Sequence, residues 1–157
     1  MKKNLFEAIV EFAKLNDVEI HPTTLPVSTR TALEAAQTVG CDVSQIAKSI
    51  IFKTVKTNKP VLVIASGKNR INEEIISKLI NEPIEKANAD FVKNQTGFII
   101  GGIPPFGHKQ AITTFINQDL LKFETVWAAA GSPFAVFEIK STDLIKVIPF
   151  AKILKIN

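Results

Sequence analysis

The sequence predicts one mixed α/β domain over residues 1–157, with helices early and strands throughout, and three observations carry that prediction. Val61-Leu62-Val63-Ile64-Ala65-Ser66 is a continuous apolar run, the mark of a central strand covered on both faces. Two capping boxes, Asn4 with Glu7 and Thr31 with Glu34, open helical segments in the first quarter of the chain. Beyond residue 110 the pattern changes to short strand-like runs separated by turns.

The elements follow in order. Leu5, Ile9, Phe12 and Leu15 form the apolar stripe of a first helix, which Asn16-Asp17 ends. Val18-Glu19-Ile20 reads as a short strand stopped by His21-Pro22, and Thr23 to Ser28 as a loop. Ala32–Val39 is a second helix with a thin apolar face, closed at Gly40. Ser44 opens a turn ending at Lys48, and Ser49-Ile50-Ile51-Phe52 is a strand. Asn58-Lys59-Pro60 turns the chain into the central strand, and a basic loop, Gly67 to Arg70, leaves it. Asn72 caps Glu73–Leu79, with both glutamates at the favourable end of the helix dipole. Ala89–Lys93 is a further short helix closing at Thr96-Gly97, and Phe98–Ile100 reads as a short buried strand. Ile112–Ile116, Thr125–Ala129 and the alternating Ala135–Ile139 are strands, and Ser141 or Thr142 caps one last helical turn around Asp143–Lys146.

Composition narrows the function. With 157 residues, 46% hydrophobic and 22% charged, the chain is ordinary globular material able to bury a core. No apolar run is long enough for a bilayer, and the first residues lack a signal-peptide core. A single cysteine, Cys41, excludes an internal disulfide and fits a reducing cytoplasm, where it reads as a small buried residue. A net charge of +4 is compatible with an anionic partner without requiring one. Phosphate loops, nucleophile elbows, dinucleotide fingerprints and zinc spacings are all absent, so no metal or cofactor is expected. Trp127 reads as core and His21 as a loop residue.

The densest stretch is Thr96 to His108, with four of the seven glycines, two of the eight prolines and one of the two histidines. Gly101-Gly102 lets a backbone approach something closely, and Pro104-Pro105 fixes φ and removes two donors. Such a loop suits the floor of a pocket, and equally a tight connection without a ligand.

Val43-Ser44-Gln45-Ile46-Ala47-Lys48-Ser49-Ile50-Ile51-Phe52, the loop Gly101–His108 and Ala129-Ala130-Gly131-Ser132-Pro133 together resemble the YbaK/prolyl-tRNA-synthetase-associated family. The resemblance spans roughly residues 5 to 148. It implies a barrel-like mixed β-sheet with flanking helices, and an aminoacyl-tRNA deacylase that hydrolyses the ester of mischarged tRNA in trans, in the prolyl-tRNA class or for a small amino acid. It implies Lys48, Gly101 and Gly102 as the catalytic group, the lysine meeting a phosphate or oxyanion and the glycine backbone holding the ester. Arg30, Ser66, Ile103, Pro105, Phe106, Gly107, His108, Gly131 and Ser132 are expected around the substrate. Phe106 is read as a stacking platform, and His108 as a residue that either orders the loop or acts on water. Lys68, Arg70 and Lys109 are candidates for phosphate contacts. The expected partners are the aminoacylated tRNA acceptor end and an aminoacyl-tRNA synthetase. A non-catalytic module of the same fold, binding aminoacyl-tRNA, a nucleotide or a synthetase, is the alternative.

Overall fold

The computed structural model describes residues 5–157, so the Asn4 cap lies outside them. Helix α1 spans Leu5–Leu15 and buries Ile9 and Ala13 completely. Asp17, at φ 61°, closes it, and the Val18 N–H donates back to Ala13 O at 2.9 Å. Val18 and Ile20 enter the core as their spacing predicts, but in irregular backbone rather than in a strand. A two-residue strand β1 (Thr23–Thr24) lies within the expected loop.

Helix α2 (Ala32–Val39) has the predicted capping box on Thr31 and Glu34, and ends on Gly40 at φ 78°. An Asp42-capped 3-10 turn, Val43–Gln45, leads directly into β2 (Ile46–Thr54). Lys48 therefore sits inside the strand rather than ahead of it. Then follow β3 (Pro60–Ser66), α3 (Glu73–Ile80), β4 (Ile84–Lys86) and α4 (Ala89–Thr96). The second half contributes β5 (Thr113–Asn117), β6 (Thr125–Ala129), β7 (Ala135–Lys140), α5 (Ser141–Val147) and β8 (Lys152–Leu154).

These strands form one mixed sheet in the order β1-β7-β6-β2-β3-β5-β8, with β4 also paired to β2. The β2–β3, β6–β7, β1–β7 and β2–β4 pairs are antiparallel; β2–β6, β3–β5 and β5–β8 are parallel. The barrel-like expectation is corrected here, because the sheet is open. Its ends, β1 and β8, are short, and β2 divides its outer edge between two neighbours instead of passing pairing on around a closed ring. No helix among the described residues is long and apolar enough to cross a membrane.

Strand β3 is apolar throughout because both of its faces are covered. Leu62 and Ile64 pack with Ile9 and Ala13 of α1, whereas Val61, Val63 and Ala65 pack with Ile76 of α3. A smaller third cluster joins Ala35 and Ala36 of α2 to Ile46 of β2, the close helix-on-sheet contact that an alanine-rich face permits.

The loop that dominates the sequence divides in two. The Thr96 hydroxyl donates to Val92 O and accepts the Phe98 N–H, while Gly97 turns at φ 85°. This local cap replaces the strand expected over Phe98–Ile100, and Ile99 and Ile100 lie exposed. Gly102 donates its N–H to Ile99 O and passes so close to Ser132 that an added Cβ would lie 2.6 Å from its Cα. On the other side of that turn, the N–H and hydroxyl of Thr29 both donate to Pro133 O, at 2.6 and 2.7 Å. Three loops are thereby locked by backbone contacts. The second half of the stretch belongs to the core: Phe106, 1% exposed, stacks on Phe12 and packs on Phe137. His108 lies edge-on to Phe98, with Nε2 2.7 Å from Pro104 O. A carbonyl can only accept, so that nitrogen carries the proton.

Two predictions follow from this loop. Gly102→Ala is expected to cost about 1–3 kcal/mol through the overlap with Ser132, since a Cβ there would lie 2.6 Å from Ser132 Cα. A thermal melt of the variant checks this; an unchanged melting temperature would mean that the loop moves aside freely. Burial pushes the His108 pKa below its ordinary 6.5, against a smaller opposing effect of its bond to Pro104. As pH falls, the unfolded chain takes up this proton before the folded one. The histidine's contribution to stability is complete above 6.5 and is lost as pH falls through the depressed folded value. His108→Gln, whose amide can still donate to Pro104, is expected to flatten this part of the melting temperature's acid dependence. An unchanged slope would contradict it.

Candidate functional site

Along one edge of β2 the ladder to β6 stops at Ala47–Ala128, and the ladder to β4 begins only at Phe52–Lys86. Residues 48–51 have no strand neighbour there. The gap opens into a cavity of about 340 Å³. Thr29 to Ala32 and helix α2, Ile46 to Ile50 of β2, and Ile100, Gly101 and Ile103 line it, with Gly101 packed beside Arg30. Trp127 to Ala129 of β6 and Val136 of β7 complete the wall.

Consecutive strand residues point to opposite faces, yet the open edge lets both Lys48 and Ser49 line this space. Burial first, and the charge of Lys86 second, push the Lys48 pKa below its ordinary 10.5. No carboxylate pairs with it among the described residues. The result is a half-buried cation in a mostly apolar cavity, and an anionic group arriving there would relieve its desolvation. Arg30 also lines the cavity, packed against Gly101; an added Cβ on Gly101, where φ is 91°, would come within 3.3 Å of Arg30 Cγ. The Gly102 N–H is given to Ile99 O, and of the two glycines only Gly101 lines the cavity.

The residues singled out from sequence separate into three groups. Lys48, Arg30, Gly101 and Ile103 line the cavity. Gly102, Gly131 and Ser132 form the frame behind it; Gly131 turns at φ 100° and the Ser132 hydroxyl accepts the Phe134 N–H. The others lie elsewhere. Ser66 is 1% exposed, with its hydroxyl donated to Ser44 O at 2.8 Å. Pro105, Gly107 and His108 border a separate hollow beside Phe12 and Ile112. Phe106 is core, so the stacking platform is corrected: its ring faces are taken by Phe12 and Phe137. Lys68, Arg70 and Lys109 are not in the cavity wall.

Trp127 is half-buried at the cavity wall rather than deep in the core, and Cys41 is likewise only half-buried. Burial and the nearby Asp42 and Glu138 carboxylates raise the Cys41 pKa, which disfavours the thiolate a nucleophile needs. Sequence reasoning missed Ser49, Ile50, Ile100 and the alanines of α2 as wall residues. The adjacency of Ser49 to Lys48 offered a signal, but strand alternation assigns neighbours to opposite faces, and only the open edge brings them together.

The chain is similar to several known proteins. The chain is 28% identical over 142 residues to the uncharacterized protein YwhH of Bacillus subtilis (strain 168), covering 90% of this chain and 87% of that protein. Over 91 residues it is 32% identical to a proline–tRNA ligase of Limosilactobacillus fermentum, a match to 55% of this chain and only 16% of the ligase. A crystal structure described as that of a candidate trans-editing enzyme for prolyl tRNA synthetase superposes with a TM-score of 0.89 at 34% identity, covering 100% of this chain and 99% of that one. The family model of the aminoacyl-tRNA editing domain matches residues 27–147, which include the whole cavity wall, and the chain belongs to that family.

Proposed function

We propose that this chain hydrolyses, in trans, the ester joining a wrong amino acid to the 3′ end of a tRNA of the proline-accepting class or charged with a small amino acid. The observation that carries this reading is the half-buried, unpaired Lys48 ammonium in a mostly apolar cavity that Gly101 also lines. An aminoacyl ester is already activated, so the chain has to position water and stabilise the charge that forms. Water adds to the ester carbonyl carbon, and the carbonyl oxygen becomes an oxyanion. The Lys48 ammonium and the Gly101 amide are the donors available to that oxygen. Collapse breaks the bond from carbon to the ribose oxygen, which leaves with the proton lost by the water.

A cation that is poorly solvated at rest gains more from a developing negative charge than a hydrated surface lysine would. Arg30, at the cavity side next to Gly101, is the contact for a backbone phosphate of the acceptor end. His108 has no part in the chemistry, because its ring lies outside the cavity wall and its Nε2 proton is held by Pro104. The neighbouring ribose hydroxyl of the substrate can order the attacking water in its place. A synthetase of the prolyl class is the natural partner, since it would generate the mischarged substrate.

Lys48→Ala is expected to lower single-turnover deacylation about a hundredfold or more, with the melting temperature unchanged or raised because a half-buried unpaired charge is removed. A panel of mischarged tRNAs with both proteins measures it. Release from none of them by the native chain would favour the binding-module reading, and full activity in the variant would take Lys48 out of the mechanism. If phosphates hold the substrate, KM should climb steeply with salt, and Arg30→Ala should raise KM without reordering the amino acids preferred. A salt-independent KM would argue against a nucleic acid substrate.

A further inference from the structure

On the other half of the sheet, strand β5 also has a stretch with a strand on one side only. Thr113 and Thr114 pair with Val61 and Leu62 of β3, but on their outer side the ladder to β8 begins only at Phe115 with Lys152. The space ahead of β8 is a hollow of about 540 Å³, lined by every residue from Ala111 to Phe115. It shares Ala111, Ile112, Thr114 and Phe150 with a second hollow of about 260 Å³. Phe150 is 60% exposed, and Leu79 in the same wall and Ile153 of β8 are exposed as well. Apolar side chains gathered on an open sheet edge are a feature that chains without a partner there ordinarily avoid. Lys109 and Lys152, both exposed, stand in the walls of the two hollows, and no carboxylate does.

We propose that this edge is a docking site for an extended, acidic segment of a partner protein, which adds as a strand beside Thr113 and Thr114 and seats an apolar side chain against Phe150. The proposal does not depend on the deacylase reading. An added strand takes the place in the sheet that β8 leaves empty, and its main chain bonds to the free edge of β5. Its side chains alternate as those of β5 do, where Thr113 is exposed and Thr114 buried, so a segment alternating acidic and apolar residues fits. The acidic character follows from Lys109 and Lys152 in the walls, with Lys155 exposed just beyond β8. A second copy is a poor occupant, because pairing β8 with itself would bring Lys152 and Lys155 of one copy against those of the other. A nucleic acid would need basic groups where Phe150 and Leu79 stand. The β3 strand separates this edge from β2, so a docked segment leaves the cavity open.

The test uses the full chain and a labelled peptide amide, Glu-Val-Glu-Phe-Glu-Val-Glu, beside a counterpart with lysine at every glutamate, both read by fluorescence anisotropy. The acidic peptide is expected to bind, more weakly as salt rises, and the lysine counterpart is not. Phe150→Ser, at an exposed position and checked for an unchanged melt, should weaken binding about tenfold or more. Lys152→Glu, checked in the same way, should weaken it and flatten its salt dependence. Amide hydrogen exchange at residues 111–114 should slow in the bound chain, as strand addition requires. No binding at millimolar peptide, equal binding of the lysine counterpart, or unaltered exchange at residues 111–114 would overturn the proposal. A dimer in sedimentation that Phe150→Ser dissolves would give the edge to a second copy and overturn it too. So would tRNA binding that both variants weaken as much as they weaken peptide binding, which would give the edge to nucleic acid.

Discussion

The architecture depends on how β2 shares its outer edge. One strand cannot pair with β6 and β4 in a continuous ladder, because the two neighbours approach it from different ends and with opposite polarity. Between them a short length of backbone has no strand beside it. An unpaired edge at the centre of a sheet would ordinarily be filled or closed. Here α2 and the loop through Gly101 roof it over without filling it, and the enclosed space becomes the cavity.

This origin accounts for the unusual mixture of groups in the wall. A cavity on one face of a sheet sees every second residue, but a cavity at a gap sees both faces at once. Lys48 comes from the face covered by α2, and Ser49 from the face of the main core. Cation and hydroxyl therefore sit next to one another in the chain, separated by the thickness of the strand. Elsewhere in the same sheet Asn69 donates to both Asn117 Oδ1 and Asp119 Oδ2, while Asn117 Nδ2, like Ser49 Oγ, is buried without a partner among the described residues.

What could be read from sequence was whatever is decided locally. The Thr31–Glu34 box, the Asn72 cap and the Gly40 terminus involve residues three or four apart, and all are where the pattern puts them. The central strand was legible because a run of apolar residues admits no exposed face. Strands β4 and β8 were not, since both are short and partly charged and exist only because a longer strand offers them an edge. Phe98–Ile100 misled in the opposite sense: its apolarity suggests a strand, while the Thr96 hydroxyl holds the backbone in a cap. Within the candidate site, Lys48, Arg30 and Gly101 were accessible from the resemblance. The division of the glycine-proline stretch into a cavity half and a core half was not, because Phe106 and His108 are fixed by contacts with Phe12, Phe98 and Phe137, remote in sequence or hidden from periodicity.

The contact between Gly102 and Ser132 has a bearing on how such a cavity can be retuned. The frame is main chain against main chain, with the Thr29 bonds to Pro133 O bracing it from the third side. Neither element takes its position from the side chains that face inward. Ile100, exposed at the cavity wall, can therefore be exchanged to reshape the interior while the loops keep their places. A scaffold built this way separates the question of what is recognised from the question of whether the chain holds its shape.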